Sequence, residues 1–204
     1  VSDISNPCFT TIARGVEDYA VGHGFSVMYC NTDESEVEEE QYLLMLIERQ
    51  VDGVLLVPAR SSGESFRLLT NHRMPVVVLD RRVAARNVDS VRCDSEAGAH
   101  ALAQHLVDLG HRRIAVLTGR RNISTSIDRV AGCRRALEEA GLSLPDEMVH
   151  WGGFNYGKLN QADGQRMAQE VLAAEGERPT AIFCANNFIG FGAIRALREA
   201  GLRV

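Results

Sequence analysis

The chain has 204 residues, 45% hydrophobic and 24% charged, with 27 acidic against 22 basic side chains and a net charge of −5. Recurrent Val, Leu and Ile runs exclude a disordered chain, and no apolar stretch approaches the roughly 20 residues that a helix needs to cross a bilayer. The net acidity argues against a nucleic-acid surface within these residues, because phosphate binding shows as clustered positive charge. The length suits one large domain or two subdomains of about 100 residues each. Cys8, Cys30, Cys93, Cys133 and Cys184 are widely and irregularly spaced, with no CxxC pair, which suggests neither a disulfide framework nor a zinc site. Reduced thiols are expected. The same cysteine usage makes a cytoplasmic location the expectation, and the opening VSDISNPCF lacks the basic start and apolar core of a signal peptide.

In chain order, Asn6-Pro7 opens a helix with Ile12, Val16 and Tyr19 at helical spacing, and Phe25 to Cys30 reads as a buried strand. Ser35-Glu36-Val37-Glu38 has the form of a capping box, and the helix that follows carries Leu43, Leu44, Leu46 and Ile47 toward the strand Val54 to Val57. A short helix around Phe66, Leu68 and Leu69 precedes the strand Val76 to Leu79, which Asp80 stops. These strands are continuous apolar runs, as expected of a parallel sheet covered by helices on both faces. The same order then repeats. A stripe of Ala99, Leu102, Leu106 and Leu109 ends at Gly110 before the strand Ile114 to Leu117, and Val130, Cys133, Leu137 and Ala140 make the next stripe, ended by Gly141. Met148 to Trp151 reads as a strand, Met167, Val171 and Leu172 mark a helix, Ala181 to Ala185 a strand, and Ile189, Ala193, Ile194 and Leu197 a last helix. The expected fold is therefore α/β, with two doubly wound parallel-sheet subdomains, 1–94 and 95–204. A parallel sheet calls for a strand before Asn6-Pro7 and another after Gly201, so both ends read as truncated.

Enzyme signatures are mostly absent: there is no GxGxxG after a strand, no GxxxxGK[ST] and no GxSxG, and Gly22-His23-Gly24 reads as a helix C-cap. The six histidines show no metal-ligand pairing, so neither metal nor cofactor is expected. What remains are polar and aromatic residues at the C-terminal ends of strands, where open parallel sheets bind ligands. Asp80 either projects into such a crevice or caps a turn, and Arg81 and Arg82 read as solvated. Asn186 and Asn187 either cap the next helix or present an amide to a ligand, with the cap falling to Asn187. Arg129 is placed on a first helical turn, where it opposes the helix dipole and needs a carboxylate or a ligand oxygen nearby. Of Trp151 and Phe154, Trp151 is expected to pack in the core.

Six motifs in order carry a resemblance that spans the chain: Asp3 to Pro7, Val51-Asp52-Gly53-Val54, Val76 to Arg81, Gly110-His111-Arg112-Arg113-Ile114, Arg129-Val130-Ala131-Gly132, and Arg178 to Asn186. Together they resemble the effector-binding core of the lac repressor and galactose repressor family of bacterial transcription regulators. The resemblance implies two periplasmic-binding-protein-like subdomains with a small-molecule site in the cleft between them. It also implies a homodimer and a helix-turn-helix headpiece, outside these residues, that binds palindromic operator DNA. Carried over by position, it assigns effector contacts to Cys8, Phe9, Asp80, Thr125, Arg129, Phe154 and Asn186. A carboxylate, an amide, a guanidinium and aromatic rings suit a sugar or polyol. Cys8, Ile123, Gly153 and Asn187 depart from the family pattern and make the cleft less acidic, which keeps a purine or a modified sugar open as the effector. The implied function is allosteric sensing without bond making. A sugar-binding transport protein of the same architecture is the alternative, and an enzyme using Asp80 as a base stands behind both.

Overall fold

The computed structural model describes residues 1–153 and 161–204. These fall into two compact units, Val1–Arg92 and Cys93–Val204. Each is α/β with a parallel sheet, as the continuous apolar runs imply.

In the first unit, α1 (Pro7–Val21) starts where the Asn6 side chain accepts the Cys8 N–H, with proline at the first helical position, and it ends at Gly22. Helix α2 (Glu36–Glu48) is capped by Ser35, which accepts the Glu38 N–H at 3.3 Å, and Glu36, Glu38 and Glu39 complement the positive end of its dipole. Strand β1 (Val54–Leu56), helix α3 (Glu64–Asn71), and strands β2 (Val76–Leu79) and β3 (Ser90–Val91) follow. The sheet runs β1-β2-β3, with Val54 opposite Val76 and Val78 opposite Ser90. Leu43, Leu46, Val54, Leu56 and Leu69 form its core cluster. The segment Phe25 to Cys30 departs from expectation: it is not a strand, and Phe25, Met28 and Tyr29 are exposed. A strand exists through its ladder, and pairing with the amino-terminal residues begins only at Cys30, whose carbonyl accepts the Val1 nitrogen at 2.7 Å.

The second unit begins with α4 (Ser95–Asp108), whose Asp94 cap accepts the Ala97 N–H at 2.9 Å. Then come β4 (Ile114–Thr118), α5 (Ser124–Glu139), a short 3-10 turn (Asp146–Met148) and β5 (Val149–Trp151). Helix α6 (Gln161–Ala173), β6 (Ala181–Cys184) and α7 (Asn187–Glu199) complete it. The sheet order is β5-β4-β6, parallel throughout, and all five residues of β4 are buried. The α4 stripe differs from the expected one: Ala99, Ala103 and Val107 are buried, whereas Leu102 and Leu109 are exposed. Close helix packing explains the exchange. A β-carbon on Gly132 of α5 would run into the Glu96 carbonyl of α4, so α4 meets α5 through its alanines and its larger leucines turn outward. Among the described residues, no helix is long and apolar enough to cross a membrane.

Candidate functional site

In the first unit the chain ends of successive parallel segments are tied by one guanidinium. Arg81, expected to be solvated, is 4% exposed and donates to the Glu34 carboxylate at 2.8 and 2.5 Å, to the Pro58 carbonyl at 2.6 Å and to the Ala59 carbonyl at 3.2 Å. Three loops thereby converge: the one after Cys30, the one after β1 and the one after β2. Burial alone would lower the Arg81 pKa, but the hydrogen-bonded Glu34 carboxylate outweighs it and the net shift is upward. Glu39 of α2 is also buried; its carboxylate accepts the Ala59 N–H at 2.6 Å and the Ser65 hydroxyl. Desolvation pushes its pKa up against the pull of those two donors.

Asp80 stands at the C-terminal end of β2 beside this hub. Its φ is 65°, and the Arg81 N–H bonds the Leu79 carbonyl at 2.7 Å across it, which is a γ-turn of the strained positive-φ kind. The Asp80 carboxylate lies 3.8 Å from the Arg81 Nε and is partly exposed. Cys8 is exposed on the first turn of α1, while Phe9 beside it is buried, so the ring supports the wall rather than facing solvent.

In the second unit, Thr125 is buried on the first turn of α5 and Arg129 is half-buried on the second. Because α5 begins at Ser124, the expected dipole conflict at Arg129 is much reduced. Asn186, and not Asn187, is the cap of α7: its backbone is extended at φ −153° and its Oδ1 accepts the Ile189 N–H at 2.9 Å. That bond uses the amide oxygen and leaves the amide nitrogen as the donor group. Strands β4 and β6 are neighbours, with Leu117 opposite Cys184, so the residues following them share one sheet edge. At the end of β5, Trp151 packs on the core as expected, with the Arg121 guanidinium 4.8 Å from its ring centre, and the Arg120 Nε donates to the Gly153 carbonyl at 2.9 Å. Phe154 lies outside the described residues.

Each unit thus carries polar groups at the C-terminal edge of its own sheet, Asp80 after β2 in the first and Asn186 after β6 in the second, where parallel sheets take ligands. Among the described residues no cluster of His, Cys, Asp and Glu could hold a metal ion. Burial pushes the Cys133 thiol up to about 12 and the Cys184 thiol up to about 11, which leaves both protonated and poorly nucleophilic at neutral pH. Sequence reasoning missed the buried ionic hub. Glu39 offered a signal, since it precedes Leu43 and Leu46 by four and seven residues and so shares their buried helix face.

A family model described as periplasmic binding proteins and sugar binding domain of the LacI family matches residues 1–204. The HTH-type transcriptional repressor PurR of Aliivibrio fischeri (strain MJ11) is 33% identical over 205 residues, covering 100% of this chain and 60% of that protein. The chain therefore spans about 60% of the length of that curated relative. A putative ribose operon repressor from Burkholderia thailandensis superimposes with a TM-score of 0.89 at 32% identity, covering 100% of this chain and 73% of that one. A LacI family transcriptional regulator from Enterococcus faecium with bound ribose gives a TM-score of 0.81 at 29% identity, covering 100% of this chain and 72% of that one. With the fold, the strand-edge chemistry and a family match along its whole length in agreement, the chain belongs to the family of periplasmic binding proteins and LacI-family sugar-binding domains.

Proposed function

We propose that this chain is the effector-sensing part of a DNA-binding transcriptional regulator, and that the effector is a small polar molecule of the sugar class. The observation that carries the reading is the match over the entire chain to repressors and their ligand-binding domains, down to 32% identity with a putative ribose operon repressor. The ribose bound by the Enterococcus faecium regulator supports a sugar. Hydroxyl groups need donors and acceptors together, and Asp80, Thr125, Arg129 and Asn186 supply both. Cys8 and Phe9 furnish the less polar surface in the first unit. The reading requires no cofactor and no bond making. Ligand binding shifts the regulator between two states only as far as it prefers one of them, and a homodimer carries the shift to paired headpieces on operator DNA. The family description also names periplasmic binding proteins, so a transport protein is the second reading. The polypeptide upstream separates the two: a helix-turn-helix belongs to the regulator and a signal peptide to the transporter.

A thermal-shift screen of pentoses, hexoses and nucleobases identifies the ligand, because a molecule that binds only the folded state raises its apparent stability. Calorimetry on the best hit then compares the parent with Asp80→Ala and Arg129→Ala. Each substitution is expected to weaken binding by at least about tenfold, or ~1.4 kcal/mol, with folding retained. Unchanged affinity in both variants refutes the site assignment.

A further inference from the structure

Helix α5 begins without a side-chain cap. Its N-cap position is Ile123, a buried apolar residue with no oxygen to offer, and its first turn holds no acid. The positive end of a 16-residue helix dipole is thus left unmet by the cap position and the turn that follow β4. The loop leading in from β4 adds cations instead, Arg120 and Arg121, in a chain whose net charge is −5. Arg121 lies over the face of Trp151, which attracts a guanidinium without neutralising it.

The side chains of α5 mark the same end independently. Thr125 is 7% exposed, yet among the described residues its hydroxyl has no hydrogen-bond partner. It does not return to the carbonyl of the preceding turn, as the hydroxyls of Thr11 and Thr70 do at 2.8 and 3.1 Å. A buried hydroxyl left in this way is costly unless something else meets it. Arg129 is half-buried on the next turn and, among the described residues, has neither an ion pair nor a hydrogen bond. On other helices of the same unit Arg134, Arg135, Arg166 and Arg195 each face a carboxylate within 3.0 Å. Residues i and i+4 share a helix face and helical side chains lean toward the amino end, so Arg129 reaches back over Thr125 toward the uncapped start of α5.

We propose that the effector carries an anionic oxygen group, a phosphate or a carboxylate, and that this group seats at the amino end of α5 against the Thr125 hydroxyl and the Arg129 guanidinium. The proposal rests on the reading of the chain as a sensor and narrows its ligand from a neutral sugar to an acidic or phosphorylated one. A helix amino end, a hydroxyl donor and a guanidinium fork are the groups that anionic oxygens take up. A neutral sugar hydroxyl satisfies Thr125 but leaves the Arg129 charge and the helix end unmet.

The test titrates the 204-residue chain with inorganic phosphate, acetate and chloride at matched ionic strength, and with ribose against ribose 5-phosphate, while NMR follows the Thr125 and Ser126 amides. Phosphate or acetate is expected to shift these amides and chloride to leave them in place; whichever of the two binds more tightly names the group. Ribose 5-phosphate is expected to bind at least about tenfold more tightly than ribose. Arg129→Gln should weaken the bound anion by at least about tenfold and Thr125→Val by a smaller factor, whereas Arg195→Gln, which removes a cation from α7, should leave it unchanged. The Trp151 urea midpoint confirms that each variant stays folded. Amides unmoved by either anion, or moved equally by chloride, overturn the proposal. Ribose binding as tightly as ribose 5-phosphate overturns it too and leaves the sensor reading standing. Anion binding with no affinity for either sugar upholds the anion site and counts against a sugar effector.

Discussion

Replacing Arg81 by methionine keeps most of the aliphatic stem and deletes the guanidinium, which isolates the energetic role of the ionic hub. Four donor contacts vanish, two to Glu34 and one each to the Pro58 and Ala59 carbonyls. Glu34, itself 4% exposed, is left with a buried charge and without the cation that faced it. Breaking one side of a buried pair costs about 3–5 kcal/mol, well above the near-zero value of exposed pairs such as Arg14 with Asp18. The double variant Arg81→Met, Glu34→Leu removes the buried Glu34 charge as well and leaves the Pro58 and Ala59 carbonyls without the guanidinium, a penalty of about 1–3 kcal/mol. The second substitution is therefore expected to recover about 2 kcal/mol on top of the first. Urea unfolding followed by hydrogen exchange of first-unit peptides measures both variants, while Trp151, the single tryptophan, reports the second unit separately. The reasoning fails if Arg81→Met lies within about 0.5 kcal/mol of the parent, or if the double variant is no more stable than the single one.

Glu39 gives a pH signature. Its folded pKa is raised by burial above the ordinary 4.5, so the folded state holds a proton that the unfolded chain releases. Stability falls as pH climbs from about 4.5 to the raised value and levels off above it, and Glu39→Gln removes that contribution; equal pH slopes for parent and variant count against it. Gly132→Ala should cost the second unit about 1–3 kcal/mol through its clash with the Glu96 carbonyl, read as a fall in the Trp151 urea midpoint. Asn186→Ala should cost ~1 kcal/mol by removing the α7 cap, and an unchanged midpoint would show the cap to be idle. With iodoacetamide at neutral pH, Cys8 and Cys93 should react at least about 100-fold faster than Cys133, whose thiol is pushed up to about 12; comparable rates contradict its burial.

The architecture was legible because continuous runs such as Ile114 to Leu117 are buried on both faces and helical stripes alternate with them. Periodicity failed where it had to choose between faces. On α4 it selected Ala99 and Leu106 correctly but also Leu102 and Leu109, where the packing selected Ala103 and Val107, because the close approach at Gly132 depends on a partner helix that α4's own sequence does not reveal. Asp80 was legible from its place after an apolar run, although its γ-turn was not, since positive φ at a non-glycine residue leaves no mark in composition. Arg81 was misread for a related reason. A charged residue next to another arginine reads as solvated, and only the folded chain brings Glu34 to it from 47 positions away. Asn186 and Asn187 were indistinguishable as caps until backbone dihedrals separated them.

Strain and buried charge are unevenly shared between the units, and this predicts different stabilities. Every non-glycine residue with positive φ among the described ones lies in the first unit: Asp33, Glu34, Gln50, Arg73, Asp80 and Asn87. The buried Glu34, Glu39 and Arg81 are there too. Among the described residues the first unit buries 11 hydrophobic side chains against 22 in the second, so less apolar burial offsets larger local costs. Strained and sparsely packed elements sit at the low-stability end of a fold, where ligand-responsive segments are found. The first unit should exchange its amides faster and unfold at lower urea than the second, and a ligand contacting Asp80 should narrow the gap by stabilising the first unit. Exchange mass spectrometry across a urea series, with and without the best ligand from the thermal-shift screen, measures both. Coincident unfolding of the two units in the free chain refutes the uneven distribution, and a gap unchanged by saturating ligand removes Asp80 from the binding surface.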